Sequence, residues 1–224
     1  MKQIIFAGLV AAGVALPSAL GVPIKYVQVP NPVAVDVTQT GGYSGSVYAG
    51  FYVIRVGNPG SEFKSFCLDL YDFSDTSYHD YSKAALKDAP QSVGNSGIAM
   101  GTLGAEAVKK LWAMNYQTAL SNPATAAALQ VAIWEAVNDA DVGLNLAGGS
   151  FVLNTTGSIR TAAQAMLDAV GSYNGPTPDL FAWVNTTDAT HYQDYIGVPD
   201  GGATLMLLGM GVCGLAFVSR RCRR

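Results

Sequence analysis

Cys67 is the single thiol between residues 22 and 200; the other two cysteines, Cys213 and Cys222, stand near the C-terminus. It lies in Phe66-Cys67-Leu68-Asp69-Leu70, where apolar flanks and Phe63–Leu70 as a whole predict a strand. In an oxidising compartment a lone cysteine cannot close an internal disulfide, so it is either a small buried hydrophobe or a nucleophile. The second group is an amide. In Leu129-Gln130-Val131-Ala132-Ile133-Trp134-Glu135-Ala136-Val137, helical spacing aligns Gln130 with Ala126, Ala127, Ile133, Trp134 and Val137. On that apolar face its carboxamide points towards the core, where a buried amide is ordinarily hydrogen-bonded to backbone. The alanines at 126 and 127 let another chain segment come close.

Other side chains admit other chemistry. His79 and His191 invite a cysteine-dependent hydrolase or acyl-transferase with Cys67 as nucleophile, but no family signature surrounds either, and Tyr78-His79-Asp80-Tyr81 reads as a polar, solvated loop. Asp69, Asp72, Asp75 and Asp80 lack the alternating spacing and closing glutamate of a calcium loop, so no metal site is expected. With three cysteines and two histidines, a zinc finger and an iron–sulfur protein are excluded, and no cofactor is expected. Tyrosines 71, 78, 81, 116, 173, 192 and 195 could stack on sugars, although their spacing selects no single face.

The elements that must position Cys67 and Gln130 follow from periodicity. Ile24–Val29, Val33–Val37 and Ser46–Val56 are rich in Val, Tyr, Ile and Phe and predict strands, with Asn58-Pro59-Gly60 as a turn before the Cys67 strand. Tyr71 to Gly104 reads as a long irregular excursion. Ala105–Leu120 predicts a helix that buries Val108, Leu111, Trp112 and Tyr116. Asn122-Pro123 is a cap and first-turn proline for a second helix to about Asn138, and Ser158 to Val170 predicts a third. Phe151–Asn154 and Leu180–Val184 predict further strands. Strands, then helices, then strands imply an α+β domain: an antiparallel sandwich or barrel-like sheet with a subdomain of about three helices.

Both chain ends read as addresses. Lys2 and the apolar run Ile4 to Leu16, broken by Pro17-Ser18 and followed by Ala19 and Gly21, predict a signal peptide over 1–21. Near the other end, Ala203 to Val218 is uncharged and apolar, slightly short of the roughly 20 residues that span a bilayer, and is followed by four arginines that would hold a tail in the cytoplasm. A membrane contact through this helix before processing is therefore expected. Residues 22–200 carry 16 acids and eight bases, a net −8 hidden by the −3 of the whole chain. That charge excludes a nucleic-acid partner and suits an exported surface protein.

Phe66-Cys67-Leu68-Asp69 followed by Leu129-Gln130-Val131-Ala132-Ile133-Trp134 resembles the thioester domains of bacterial surface adhesins, over most of residues 45–185. The resemblance implies that Cys67 and Gln130 form a thioester by loss of ammonia, within a pocket of Phe66, Leu68, Asp69, Ile133 and Trp134. Such a bond is a single-use electrophile for an amine or hydroxyl on a host, neighbouring-cell or matrix molecule, not an enzyme's turnover site. A non-reactive matrix or carbohydrate-binding surface protein with a buried, reduced Cys67 is the competing expectation.

Val198-Pro199-Asp200-Gly201-Gly202, the apolar stretch and the arginine cluster together resemble the PEP-CTERM family of sorting signals, in a Val-Pro-Asp variant, over 198–224. That resemblance implies recognition by an exosortase-type membrane enzyme that removes the tail, and display on the surface or in the extracellular matrix of a Gram-negative cell. The exported domain is then 22–197.

Overall fold

The computed structural model describes residues 21–40, 43–90, 99–186, 188, 190 and 192–199. The expected signal peptide up to residue 20, Asp200, Gly201 and Gly202 of the sorting motif, and the 203–218 stretch with its arginine tail lie outside the described residues. Among the described residues no helix is long and apolar enough to cross a membrane.

Alternating side chains build the first strands. In β2 (Val33–Gln39), Val35 and Val37 are buried while Ala34 and Asp36 face solvent, as a pleated strand with one covered face requires. β3 (Ser44–Ala49) pairs with β2 from Val33 to Thr38, and β7 (Phe151–Leu153) pairs on its other side, giving a three-stranded antiparallel sheet. The second sheet has six strands in the order β5-β4-β1-β6-β8-β9, all antiparallel: β1 (Val22–Gln28), β4 (Tyr52–Gly57), β5 (Gly60–Ser65), β6 (His79–Ala85), β8 (Phe181–Val184) and β9 (Tyr195–Gly197). Asn58 and Pro59 form the two-residue loop between β4 and β5. Gly60 is required there, because a Cβ would lie 1.9 Å from the Val56 carbonyl oxygen.

Three helices pack with these sheets. α1 (Gly101–Ala119) buries Val108, Leu111 and Trp112 and leaves Tyr116 half-buried. α2 (Pro123–Asp139) is capped by Asn122, whose Oδ1 accepts the Thr125 N–H at 3.1 Å, with Pro123 in its first turn. α3 (Ser158–Val170) keeps the bounds expected from the sequence and buries Ala163, Leu167 and Val170. α2 is the centre of the molecule: 13 of its 17 residues are buried, against α1, α3 and the three-stranded sheet. Its apolar side is thus not one stripe but nearly the whole cylinder, the pattern of a helix enclosed on all sides.

The α+β architecture with antiparallel sheets and three α-helices is as expected, and neither sheet closes into a barrel. Several boundaries differ. Ser46–Val56 is not one strand: the buried Gly50-Phe51 step separates β3 from β4 and sends them to different sheets. The Cys67 strand ends at Ser65, so Cys67 itself lies just beyond β5 and makes an isolated antiparallel bridge with Tyr195. The 71–104 excursion contains β6, a short 3-10 turn (Leu86–Asp88) and the first turn of α1. His79 opens β6 and is largely buried, in place of the solvated loop expected of it. β6 escapes a sequence reading because only Tyr81 of its seven residues is buried; it is held by backbone pairing to β1 and β8 on either side.

Candidate functional site

The Cys67 bridge determines which backbone groups remain to be satisfied. On one side the Leu68 N–H donates to the Asp194 carbonyl at 2.9 Å and the Ile196 N–H donates to the Phe66 carbonyl at 3.1 Å. In an antiparallel ladder the groups of alternate residues point opposite ways, so the N–H and C=O of Cys67 face away from that partner. Fully buried and unpaired, they would cost free energy. α2 supplies the missing partner. The Cys67 N–H donates to Gln130 Oε1 at 3.0 Å, and Gln130 Nε2 donates to the Cys67 carbonyl at 2.9 Å. The two residues singled out from the sequence are therefore in direct contact, through the Gln130 side chain and the Cys67 backbone.

The sulfur has its own surroundings. Cys67 Sγ donates to the Asp69 carbonyl at 2.7 Å and packs in a cluster with Ile24, Tyr52, Ile54, Tyr81 and Tyr195. Burial, and after it the Asp69 carboxyl, push the thiol well above its usual pKa; the Asp69 backbone and the Trp134 indole pull the other way. Trp134 lies one turn beyond Gln130 on α2, and its Nε1 is buried without a hydrogen-bond partner. It is near enough to the thiol to favour the thiolate, without a hydrogen bond in this structure.

Asp69 is buried as well. Its Oδ2 accepts the Asp194 N–H at 2.7 Å and its Oδ1 the Asp72 N–H at 3.2 Å. Burial, reinforced by the neighbouring Asp194 carboxyl, raises its pKa well above the carboxylate range. The bond to Asp194 fixes the segment that enters β9 and thereby the bridge at Cys67. The remaining residues of the expected pocket divide between surroundings. Phe66 packs edge-on against Trp112 and Tyr116 of α1, at centroid distances of 5.9 and 6.4 Å. Leu68 and Ile133 belong to the main core together with Trp134. Val198 packs on that core and Pro199 follows it.

His79 is committed elsewhere. Its Nε2 lies 2.8 Å from Asp75 and its Nδ1 3.1 Å from Asp188, and its ring stacks on Tyr192 at 3.6 Å. Both nitrogens are occupied, so His79 is not a base for Cys67 here; His191 lies outside the described residues. No group of three or more His, Cys, Asp or Glu among the described residues could hold a metal ion.

Two buried carboxyls on α2 were not singled out by the sequence. Glu135 accepts the Asn145 N–H at 2.6 Å through Oε1 while Oε2 has no partner, and burial raises its pKa from 4.5 to about 8. Asp139 accepts the Ser150 and Phe151 N–H groups, both at 2.7 Å, and so anchors the start of β7 to the end of α2. The signal was present: both acids occur in a helix whose other positions are almost all apolar.

A cleft of about 560 Å³ opens between the two sheets, and neither Cys67 nor Gln130 lines it. Trp134 and Tyr52 line its inner end, and both of them also adjoin Cys67. Nearer the surface, Tyr48 of β3 and Phe73 are exposed to 64% and 74%. The seven tyrosines considered for stacking include none of the tyrosines that line this cleft, which are Tyr26, Tyr43, Tyr48 and Tyr52.

Compared with known proteins, the chain matches the family model of the VPDSG-CTERM motif over residues 197–222, with Gly201 where the motif's name has serine. No curated protein and no solved structure matches the chain. The sorting motif covers the junction expected from Val198 onward and marks the chain as an exported surface protein, processed by an exosortase-like enzyme.

Proposed function

We propose that the Cys67–Gln130 pair closes into an internal thioester, and that the protein uses it once to attach covalently to an amine or hydroxyl on a surface or matrix molecule. The observation that carries this reading is the two-point bond between the Gln130 carboxamide and the Cys67 backbone. It brings amide and thiol into one buried locus, as an intramolecular reaction requires. The Cys67 N–H already donates to Oε1, the atom on which negative charge develops during attack. The sulfur bonds to the Gln130 side-chain carbon, the C–N bond breaks, and the thiol proton leaves with the amide nitrogen as ammonia. The raised thiol pKa slows this step, and the Trp134 indole N–H offsets it by stabilising the thiolate. Burial of the pair restricts hydrolysis of the product. An acceptor amine or hydroxyl then adds to the Gln130 carbonyl, the C–S bond breaks, and the acceptor's proton returns to Cys67.

A second reading has an observation in its favour. The same two hydrogen bonds complete the pairing of a bridge residue without any covalent step, and the thiol is occupied by the Asp69 carbonyl. In that case Cys67 is a structural residue of a non-reactive surface protein.

Intact mass separates the two. A thioester makes the chain one ammonia lighter, Cys67→Ala and Gln130→Ala each abolish the deficit, and methylamine adds at Gln130, leaving the chain one CH2 heavier than its sequence while releasing a titratable thiol. A chain of full mass whose Cys67 is alkylated on denaturation, with no nucleophile added, overturns the thioester.

A further inference from the structure

The cleft above Trp134 has a composition that selects a class of ligand. Its volume of about 560 Å³ falls in the roughly 300–1,000 Å³ range of small-molecule sites. Its walls come from both sheets: Tyr48 stands on one, and Tyr26 and Tyr52 on the other, in edge contact at 6.0 Å. Phe73 joins the second wall and, like Tyr48, presents most of its ring to solvent, although large apolar side chains are normally covered. Polar atoms are interleaved with these rings. Ser74 Oγ donates to Gln193 Oε1 at 2.5 Å and lies 3.0 Å from the Tyr195 hydroxyl, and Asp72 contributes a carboxylate.

Among the described residues no lysine, arginine or histidine lines the cleft, and the surrounding domain is strongly acidic. Anionic polymers are therefore disfavoured. Flat rings alternating with hydroxyl, amide and carboxylate groups suit a ligand with apolar C–H faces and a rim of hydroxyls.

We propose that this cleft is a binding site for a neutral, hydroxyl-rich glycan, with sugar rings stacked on Tyr48 and Phe73. The site does not depend on the thioester. It shares Trp134 and Tyr52 with the surroundings of Cys67, while Cys67 and Gln130 themselves do not line it.

The test is affinity electrophoresis and calorimetry of the full chain. The probes are dextran and β-1,3- and β-1,4-linked gluco-oligosaccharides, alginate oligosaccharides as the anionic control, and N-acetyl-lysine methylamide as the cationic one. At least one neutral glucan is expected to bind, and alginate is not. Tyr48→Ala and Phe73→Ala, both at exposed positions that should leave folding intact, are each expected to weaken binding roughly 3- to 10-fold, the scale of one aromatic contact. Leu103→Ala, at an exposed apolar position on α1, is expected to change nothing. Cys67→Ala should bind the glucan as the unaltered chain does, which separates this site from the thioester reading. The proposal is overturned by binding of no neutral glucan, by glucan binding indifferent to Tyr48 and Phe73, or by a preference for the lysine probe that Asp72→Asn removes.

Discussion

The carboxamide of Gln130 spans the backbone of Cys67, taking its N–H on one atom and giving a proton to its C=O from the other. Removing the side chain strands two buried backbone groups, each worth about 1–3 kcal/mol when left unpaired. Gln130→Ala is expected to cost about 2–6 kcal/mol of unfolding free energy. Cys67→Ala keeps both backbone bonds and should cost less. This order holds with or without a thioester: both substitutions would remove such a cross-link, but Cys67→Ala leaves the intact Gln130 amide to pair the residue-67 backbone, whereas Gln130→Ala leaves both backbone groups unpaired. Urea denaturation midpoints of the two variants check it.

Glu135 makes a prediction about pH. Its pKa rises from 4.5 to about 8 on folding, so between these values the folded chain holds a proton that the unfolded chain has released. The stabilising contribution of this group is fully present below about pH 4.5 and is lost as pH rises to about 8. The stability difference between the unaltered chain and Glu135→Gln should shift against the unaltered chain by up to about 1.4 kcal/mol per pH unit across that window. Denaturant titrations at several pH values measure it; a difference that does not vary with pH would refute the assignment.

Gly149 has φ +102°, and a Cβ there would lie 2.7 Å from an Asp139 carboxylate oxygen. That carboxylate holds the N–H groups of Ser150 and Phe151, so it cannot withdraw without releasing them. Gly149→Ala should therefore destabilise by about 1–3 kcal/mol through backbone strain alone. Thermal unfolding should register a drop of roughly 2–4 °C for each kcal/mol in a chain of this size.

Asn122 closes the first turn of α2, the helix that carries Gln130. Asn122→Ala removes the acceptor for the Thr125 N–H and should cost about 0.5–2 kcal/mol. Gln130 lies two turns further on, so the first sign should be faster amide exchange at residues 124–126, with the Cys67 amide still protected. Simultaneous loss of protection at both would show that the cap and the Cys67 contact open as one unit.

Local physics explains what was legible beforehand. The cap of α2, the spacing of α2 and α3, the strand around Val33–Val37 and the Asn58-Pro59 loop depend on residues within a few positions of one another, so periodicity and turn chemistry reveal them. The pairing of Cys67 with Gln130 was legible as two isolated oddities: a thiol with no disulfide partner, and an amide on an apolar face. The sorting motif at the C-terminal end is likewise a contiguous pattern, and it is recognised as such.

The amino-acid sequence alone therefore determined the helices, the first strands, the sorting signal and the two residues that merited attention. Only the tertiary structure decided how those two meet. The Cys67 backbone is left half-paired because Tyr195, 128 positions away, takes one side of it, and the enclosed α2 brings the one amide that completes the other. It also decided which aromatic residues share a cleft, since Tyr48 and Tyr52 belong to different sheets although only four positions separate them. Such relations are set by long-range backbone pairing, to which side-chain periodicity is blind.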